Sequence, residues 1–193
     1  MIRILFTGVA GTGKDTTMCA LMMKLKMSGR SLDYAPEVAH LALYSGFQLD
    51  KETGIGSQLY MFGEQLRWEA LYNKSKHDYV IYNRGVVDVE VISRINILPP
   101  DRDIIENICS YYMQTKPYDL IIHLSRLRDI DLKDKVRETA GDYLDKQQAM
   151  FNHVLNCYAT AGHNVLYVGP QDLTKRVEII LEELTRLEKQ SQG

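Results

Sequence analysis

A chain of 193 residues can bury one substantial core but is too short for a second full domain, so a single domain over residues 1–193 is expected. A formal charge of −2 with 25% charged residues excludes a generally basic nucleic-acid binder and confines any polyanion site to a local patch. Cys19, Cys109 and Cys157 show no paired spacing, which excludes a disulfide framework or zinc site. With no basic leader and no apolar stretch of membrane-spanning length, a cytoplasmic protein without a membrane partner is expected.

The first predicted strand, IRILFT (2–7), runs into GVAGTGKDTT (8–17). Glycine, four residues, then glycine and lysine is the frame of a phosphate-binding loop, and it lies where its mechanism requires, between an apolar strand and an amphipathic helix. Gly8, Gly11 and Gly13 let the backbone turn tightly, with Val9, Ala10 and Thr12 completing the cradle, and Lys14 brings a full charge to the terminal phosphates. The following helix, with Met18, Leu21, Met22 and Leu25 at helical spacing, adds its dipole. Asp15 stands where a hydroxyl is expected. It either complements the helix dipole, with Thr16 or Thr17 offering the hydroxyl to magnesium, or binds the ion itself; the reading adopted is Asp15 at the magnesium with Thr16 as a ligand.

The second predicted strand, SLDYAPE (31–37), ends in Glu37, which at the carboxyl end of a parallel strand faces the same crevice as the loop. A carboxylate there can take the proton of an attacking hydroxyl. The third, DYVIYN (78–83), is followed by Arg84, Gly85 and, one helical turn on, Asp88; Arg84 is placed to hold an acceptor or transferring phosphate. Asn83 has an amide where many strands of this kind end in a metal-binding aspartate, so Asp15 is read as supplying the displaced charge. Pro99 and Pro100 then separate two helical segments.

After the fourth predicted strand, YDLIIHL (118–124), residues 125–140 carry Arg126, Arg128, Lys133, Lys135 and Arg137 among acids and are read as a lid. Arg126 and Arg128 are assigned to the donor, Arg128 also to catalysis, and Arg137 to the acceptor. The fifth predicted strand, HNVLYVG (163–169), precedes a helix with an apolar stripe from Leu173 to Leu187. Alternation of strands and helices implies a mainly parallel sheet covered on both faces.

The order of loop, PEVA after strand two, NRG plus an acid after strand three, basic segment and C-terminal helix resembles the P-loop kinases of nucleosides and nucleotides. Pro36 and Glu37 stand at the proline-glutamate motif of the deoxynucleoside kinases, where the glutamate acts as base. Arg84, Gly85 and Asp88 match the DRG…D motif of nicotinamide-riboside-kinase-like domains, and GKDT is similar to the loop of some phage deoxynucleoside-monophosphate kinases. The resemblance implies an α/β, three-layer P-loop NTPase fold with a five-stranded parallel sheet, order 2-3-1-4-5. It also implies ATP and Mg2+ as cofactors and a helical acceptor-binding insert over residues 46–76. In that insert Gln58, Tyr60, Phe62, Gln65, Arg67 and Trp68 form a set suited to a base, with Gln58 and Phe62 chosen as ligand residues.

The function expected is transfer of the γ-phosphate of ATP to a small-molecule nucleoside, nucleotide or related acceptor. A modified base in DNA stays open as the acceptor but is not favoured by the near-neutral charge, and a P-loop ATPase or switch is the other class, against which Asn83 argues. A homodimer is left open.

Overall fold

The computed structural model describes residues 1–127 and 141–190. Strands β1 (Ile2–Thr7), β2 (Leu32–Ala35), β3 (Tyr79–Asn83), β4 (Leu120–Leu124) and β5 (Val165–Val168) form a parallel sheet in the order 2-3-1-4-5. All five predicted strands are present; β1 matches its apolar run and the other four are shorter than theirs. Pro36, which has no N–H to donate, follows the end of β2, and Ser31 is held outside that strand by hydrogen bonds to the Asp78 carboxylate. His163 is drawn back onto the preceding helix, its N–H donating to the Tyr158 carbonyl.

Seven helices are described: α1 (Lys14–Met27), α2 (Ala39–Tyr44), α3 (Ile55–Tyr72), α4 (Val86–Asn96), α5 (Asp101–Thr115), α6 (Gly141–Thr160) and α7 (Leu173–Gln190). Side chains alternate across the strands, so each sheet face builds its own core. Ile4, Phe6, Ile81 and Ile122 pack with Met18 and Leu21 of α1 and Ile180 and Leu184 of α7. Leu5, Val80, Tyr82 and Ile121 pack on the other face with α4, α5 and α6 through Val87, Cys109, Met113, Phe151 and Leu155. The expected three layers are thereby present, and the prolines at 99 and 100 do separate α4 from α5.

Residues 46–76 hold a short 3-10 turn (Asp50–Glu52) and α3. The inner face of α3 is anchored to the sheet through Glu69, which pairs with Arg3 of β1 and accepts hydrogen bonds from Tyr118 Oη at 2.8 Å and Gln65 Nε2 at 3.2 Å. Residues 128–140 of the segment expected to be a lid (125–140), with Arg128 and Arg137, lie outside the described residues. Among the described residues no helix is long and apolar enough to cross a membrane.

Register places the chemistry along one edge. Phe6 pairs with Asn83, Thr7 with His123 and Ala35 with Tyr82, so the residues after β1, β2 and β3 emerge side by side.

Candidate functional site

Gly8 follows β1 with φ of 137°, and a Cβ there would lie 2.9 Å from the Leu124 carbonyl oxygen. Only glycine permits this approach of loop to β4. Gly13 is the N-cap of α1 in the left-handed region, φ 73°. Lys14 is 7% exposed and curls over the loop, its Nζ donating to the carbonyls of Gly8 at 3.1 Å and Val9 at 3.2 Å. Thr12 Oγ1 donates to the Val9 carbonyl at 3.3 Å and Thr17 Oγ1 to the Gly13 carbonyl at 2.9 Å, so these hydroxyls stabilise the loop and first turn. A concave glycine-rich turn, a buried ammonium and a helix N-terminus together make an anion cradle.

Two features beside the loop bear on a cation. Asp15 and Thr16 are exposed on the first turn of α1, and Asn83 Nδ2 donates to Asp15 Oδ1 at 2.7 Å and to Tyr34 Oη at 3.3 Å. Asn83 is 4% exposed, and its Oδ1 is buried without a hydrogen-bond partner. The amide nitrogen of Asn83, not its orphaned oxygen, faces the carboxylate. Magnesium takes one or two protein oxygens and keeps its remaining positions for water and phosphate, so the exposed Asp15 carboxylate and Thr16 hydroxyl fit it.

His123, near the carboxyl end of β4, is 1% exposed. Burial, and secondarily the charge of Lys14, pushes its imidazole down from 6.5 to about 4, so it is neutral at pH 7. One ring nitrogen, Nε2, meets Gln148 Nε2 at 2.8 Å, while Nδ1 has no partner and lies 3.6 Å from where a Gly8 Cβ would stand.

The second half of the site is a cleft of mixed apolar and polar lining, reaching from Ala10 of the loop to α3. Arg84 stands at the junction. Its backbone is left-handed at φ 65°, uncommon for a residue with a side chain, and this aims the guanidinium across the mouth. Nε donates to Glu37 Oε1 at 2.7 Å and Nη1 to Asp88 Oδ1 at 2.8 Å. Asp88 Oδ2 also accepts the Gly85 N–H at 3.1 Å, capping α4. All three side chains are mostly buried, so the pairs are little screened by water.

Gln58, Met61 and Gln65 bring one face of α3 to the cleft. Gln65 is committed to Glu69, but Gln58 is 0% exposed and neither its Oε1 nor its Nε2 has a partner. Thr53 Oγ1, also in the wall, is buried and unpartnered as well. Phe62 is not in the wall; its ring meets Tyr112 edge-on, with centroids 6.2 Å apart. The other aromatics of this stretch pair among themselves, Tyr60 with Phe47 and Trp68 with Tyr72, while Arg67 covers the Trp68 ring.

The structure thus gathers Lys14, Asp15, Glu37, Gln58, Arg84 and Asp88 along one edge and turns Phe62 away. Arg126 leaves β4 close to the loop, where its neighbour Leu127 donates to the Gly11 carbonyl at 3.4 Å; its Nη1 meets Asp145 Oδ1 at 3.2 Å. Thr53, His123, Gln147 and Arg176 belong to the site's surroundings and were not expected there. A lone histidine inside the apolar run LIIHL was a usable signal, since a polar side chain in a buried strand must have a reason.

Fold and loop define a P-loop protein with the architecture of the nucleoside and nucleotide kinases. A family model described as an AAA domain matches residues 3–176, and the chain belongs to that family. No curated protein matches the sequence. Among solved structures, thymidylate kinase from Candida albicans is similar with TM-score 0.69 and 14% identity, over 97% of this chain and 92% of that one. Deoxyadenosine kinase from M. mycoides, solved with dCMP and dCDP, is similar with TM-score 0.66 and 15% identity, over 96% of this chain and 100% of that one.

Proposed function

We propose that the protein is an ATP-dependent kinase that transfers the γ-phosphate to a nucleoside, a nucleotide or a related small acceptor. The observation that carries this reading is Gln58. A buried amide with both its donor and its acceptor unmet costs free energy, and a ligand edge with a complementary acceptor and donor would repay it. A nucleobase has such an edge, and the cleft that holds Gln58 begins at Ala10 of the phosphate loop.

The residues divide by role. The backbone N–H groups from Gly8 to Lys14, with the Lys14 ammonium, bind the donor's terminal phosphates, while Asp15, oriented by the Asn83 amide N–H, and Thr16 would hold a magnesium ion. Bound there, magnesium would supply charge neutralisation to the phosphates. The acceptor lies in the cleft with its base on Gln58. Its hydroxyl oxygen forms the new bond to the γ-phosphorus, the bond from that phosphorus to the ADP oxygen breaks, and the hydroxyl proton passes to the Glu37 carboxylate. Arg84, held by Glu37 and Asp88, neutralises charge on the transferring group. The insert over 46–76 serves as the acceptor-binding unit.

The test is a screen with γ-labelled ATP against free nucleosides, nucleoside monophosphates and an oligonucleotide bearing hydroxymethylated bases. Label on a free nucleoside or monophosphate is expected. Label on the oligonucleotide alone would move the acceptor to DNA, and phosphate release with no acceptor labelled would make the protein an ATPase.

A further inference from the structure

Arg176 lies in the first turn of α7, 164 residues after Thr12, yet its Nη1 donates to the Thr12 carbonyl oxygen at 2.5 Å and would lie 3.3 Å from a Cβ placed on Gly13. The side chain is 2% exposed. Its Nε and Nη2 are buried with no hydrogen-bond partner, and among the described residues no carboxylate pairs with it. Its first-turn neighbour Lys175, by contrast, pairs with Glu178 at the surface. Burying a cation without a counter-charge is expensive, and proteins do so where a ligand brings the missing charge.

The geometry says which ligand. In a planar trans peptide the C=O and N–H groups point to opposite sides. Holding the Thr12 carbonyl toward Arg176 therefore turns the Gly13 N–H the other way, into the concave side of the loop. The left-handed backbone of Gly13 makes this peptide easy to misorient, since glycine populates both signs of φ freely. The guanidinium stands behind the same peptide whose front faces the anion site.

Resting on the reading of the loop as the donor-phosphate site, we infer that Arg176 is a positioning residue for a bound polyphosphate. It locks the Thr12–Gly13 peptide with its N–H inward and holds a positive charge that the polyphosphate neutralises.

The test uses tripolyphosphate as probe, with calorimetric affinities and melting temperatures of the free protein for wild type, R176M, R176Q and R176K. R176Q keeps a donor for the Thr12 carbonyl but drops the charge; R176M drops both. Affinity is expected to fall about tenfold in R176Q and further in R176M, as for a hydrogen bond and charge lost together, with R176K restoring most of it. The free R176M protein should melt no lower than wild type, because an uncompensated buried cation has been removed. Affinity within about twofold of wild type in R176Q overturns the inference, and so does an R176K variant no tighter than R176Q. Should R176M not fold, the comparison of R176Q with R176K decides alone. A wild-type protein that binds neither tripolyphosphate nor ATP would instead refute the loop reading, a result distinct from equal binding by wild type and R176Q.

Discussion

The two halves of the site are built in opposite ways. The phosphate loop is made of consecutive residues, and its binding groups are largely backbone N–H groups set by glycine conformations and a helix start. The cleft proposed for the acceptor is made of side chains from the ends of β2 and β3, from α3, α4 and α6, and from the turn before α3. One half is fixed by local geometry and the other by packing and ion pairs. The donor half should therefore lose function through single charges without losing its shape, whereas the ion pairs of the acceptor half should couple function to stability.

The largest expected effect sharpens the first part. Lys14→Ala removes the ammonium from the cradle and should lower turnover about a thousandfold, with the melting temperature nearly unchanged. Steady-state kinetics and a thermal melt on the same preparation check both. Next is Glu37→Gln, which should reduce kcat about a hundredfold by removing the proton acceptor while the KM for ATP stays put. It should also lower the melting temperature, because Arg84 loses one of its two carboxylates; an unaltered melt would break the contrast between the halves.

The third prediction concerns acid. His123 has a pKa of about 4 folded and an ordinary one of 6.5 unfolded, so between these values the unfolded chain binds more protons. Stability conferred by the neutral buried ring is complete above pH 6.5 and is lost as pH falls toward 4, up to about 3 kcal/mol. Denaturant melts of wild type and His123→Asn over this range should show a shallower slope in the variant. The smallest effect is expected from Asp15→Asn. It should raise the magnesium concentration for half-maximal rate several-fold, and adding Asn83→Asp should recover part of the loss, because one anionic oxygen returns to the neighbouring strand end. A midpoint unmoved in the single variant would make Asp15 a helix-dipole residue only.

The same contrast governs how much the sequence tells. Strands, layers and loop were legible because apolar runs and glycine spacing report on themselves, and the sheet order followed from the resemblance to the P-loop kinases. Glu37 and Arg84 were legible as strand-end residues, but their mutual pairing was not, since it depends on the left-handed backbone at Arg84. Along α3, Gln58 and Phe62 looked alike as ligands. The packing of the helix, anchored to β1 by Glu69 and Arg3, is what separates them: Gln58 faces the cleft and Phe62 meets Tyr112. Arg176 gave no sequence signal, since nothing in its own surroundings indicates that the first turn of α7 lies behind the phosphate loop.

The division of labour between loop and cleft is tested most directly by Gln58→Leu. A full matrix of initial rates against ATP and the acceptor found in the screen separates the two halves. The account predicts that the KM for the acceptor rises at least about tenfold, since a buried base edge loses both partners, while the KM for ATP and the stability of the free protein are unchanged or improved. A rise in the KM for ATP with the acceptor KM unmoved would contradict it.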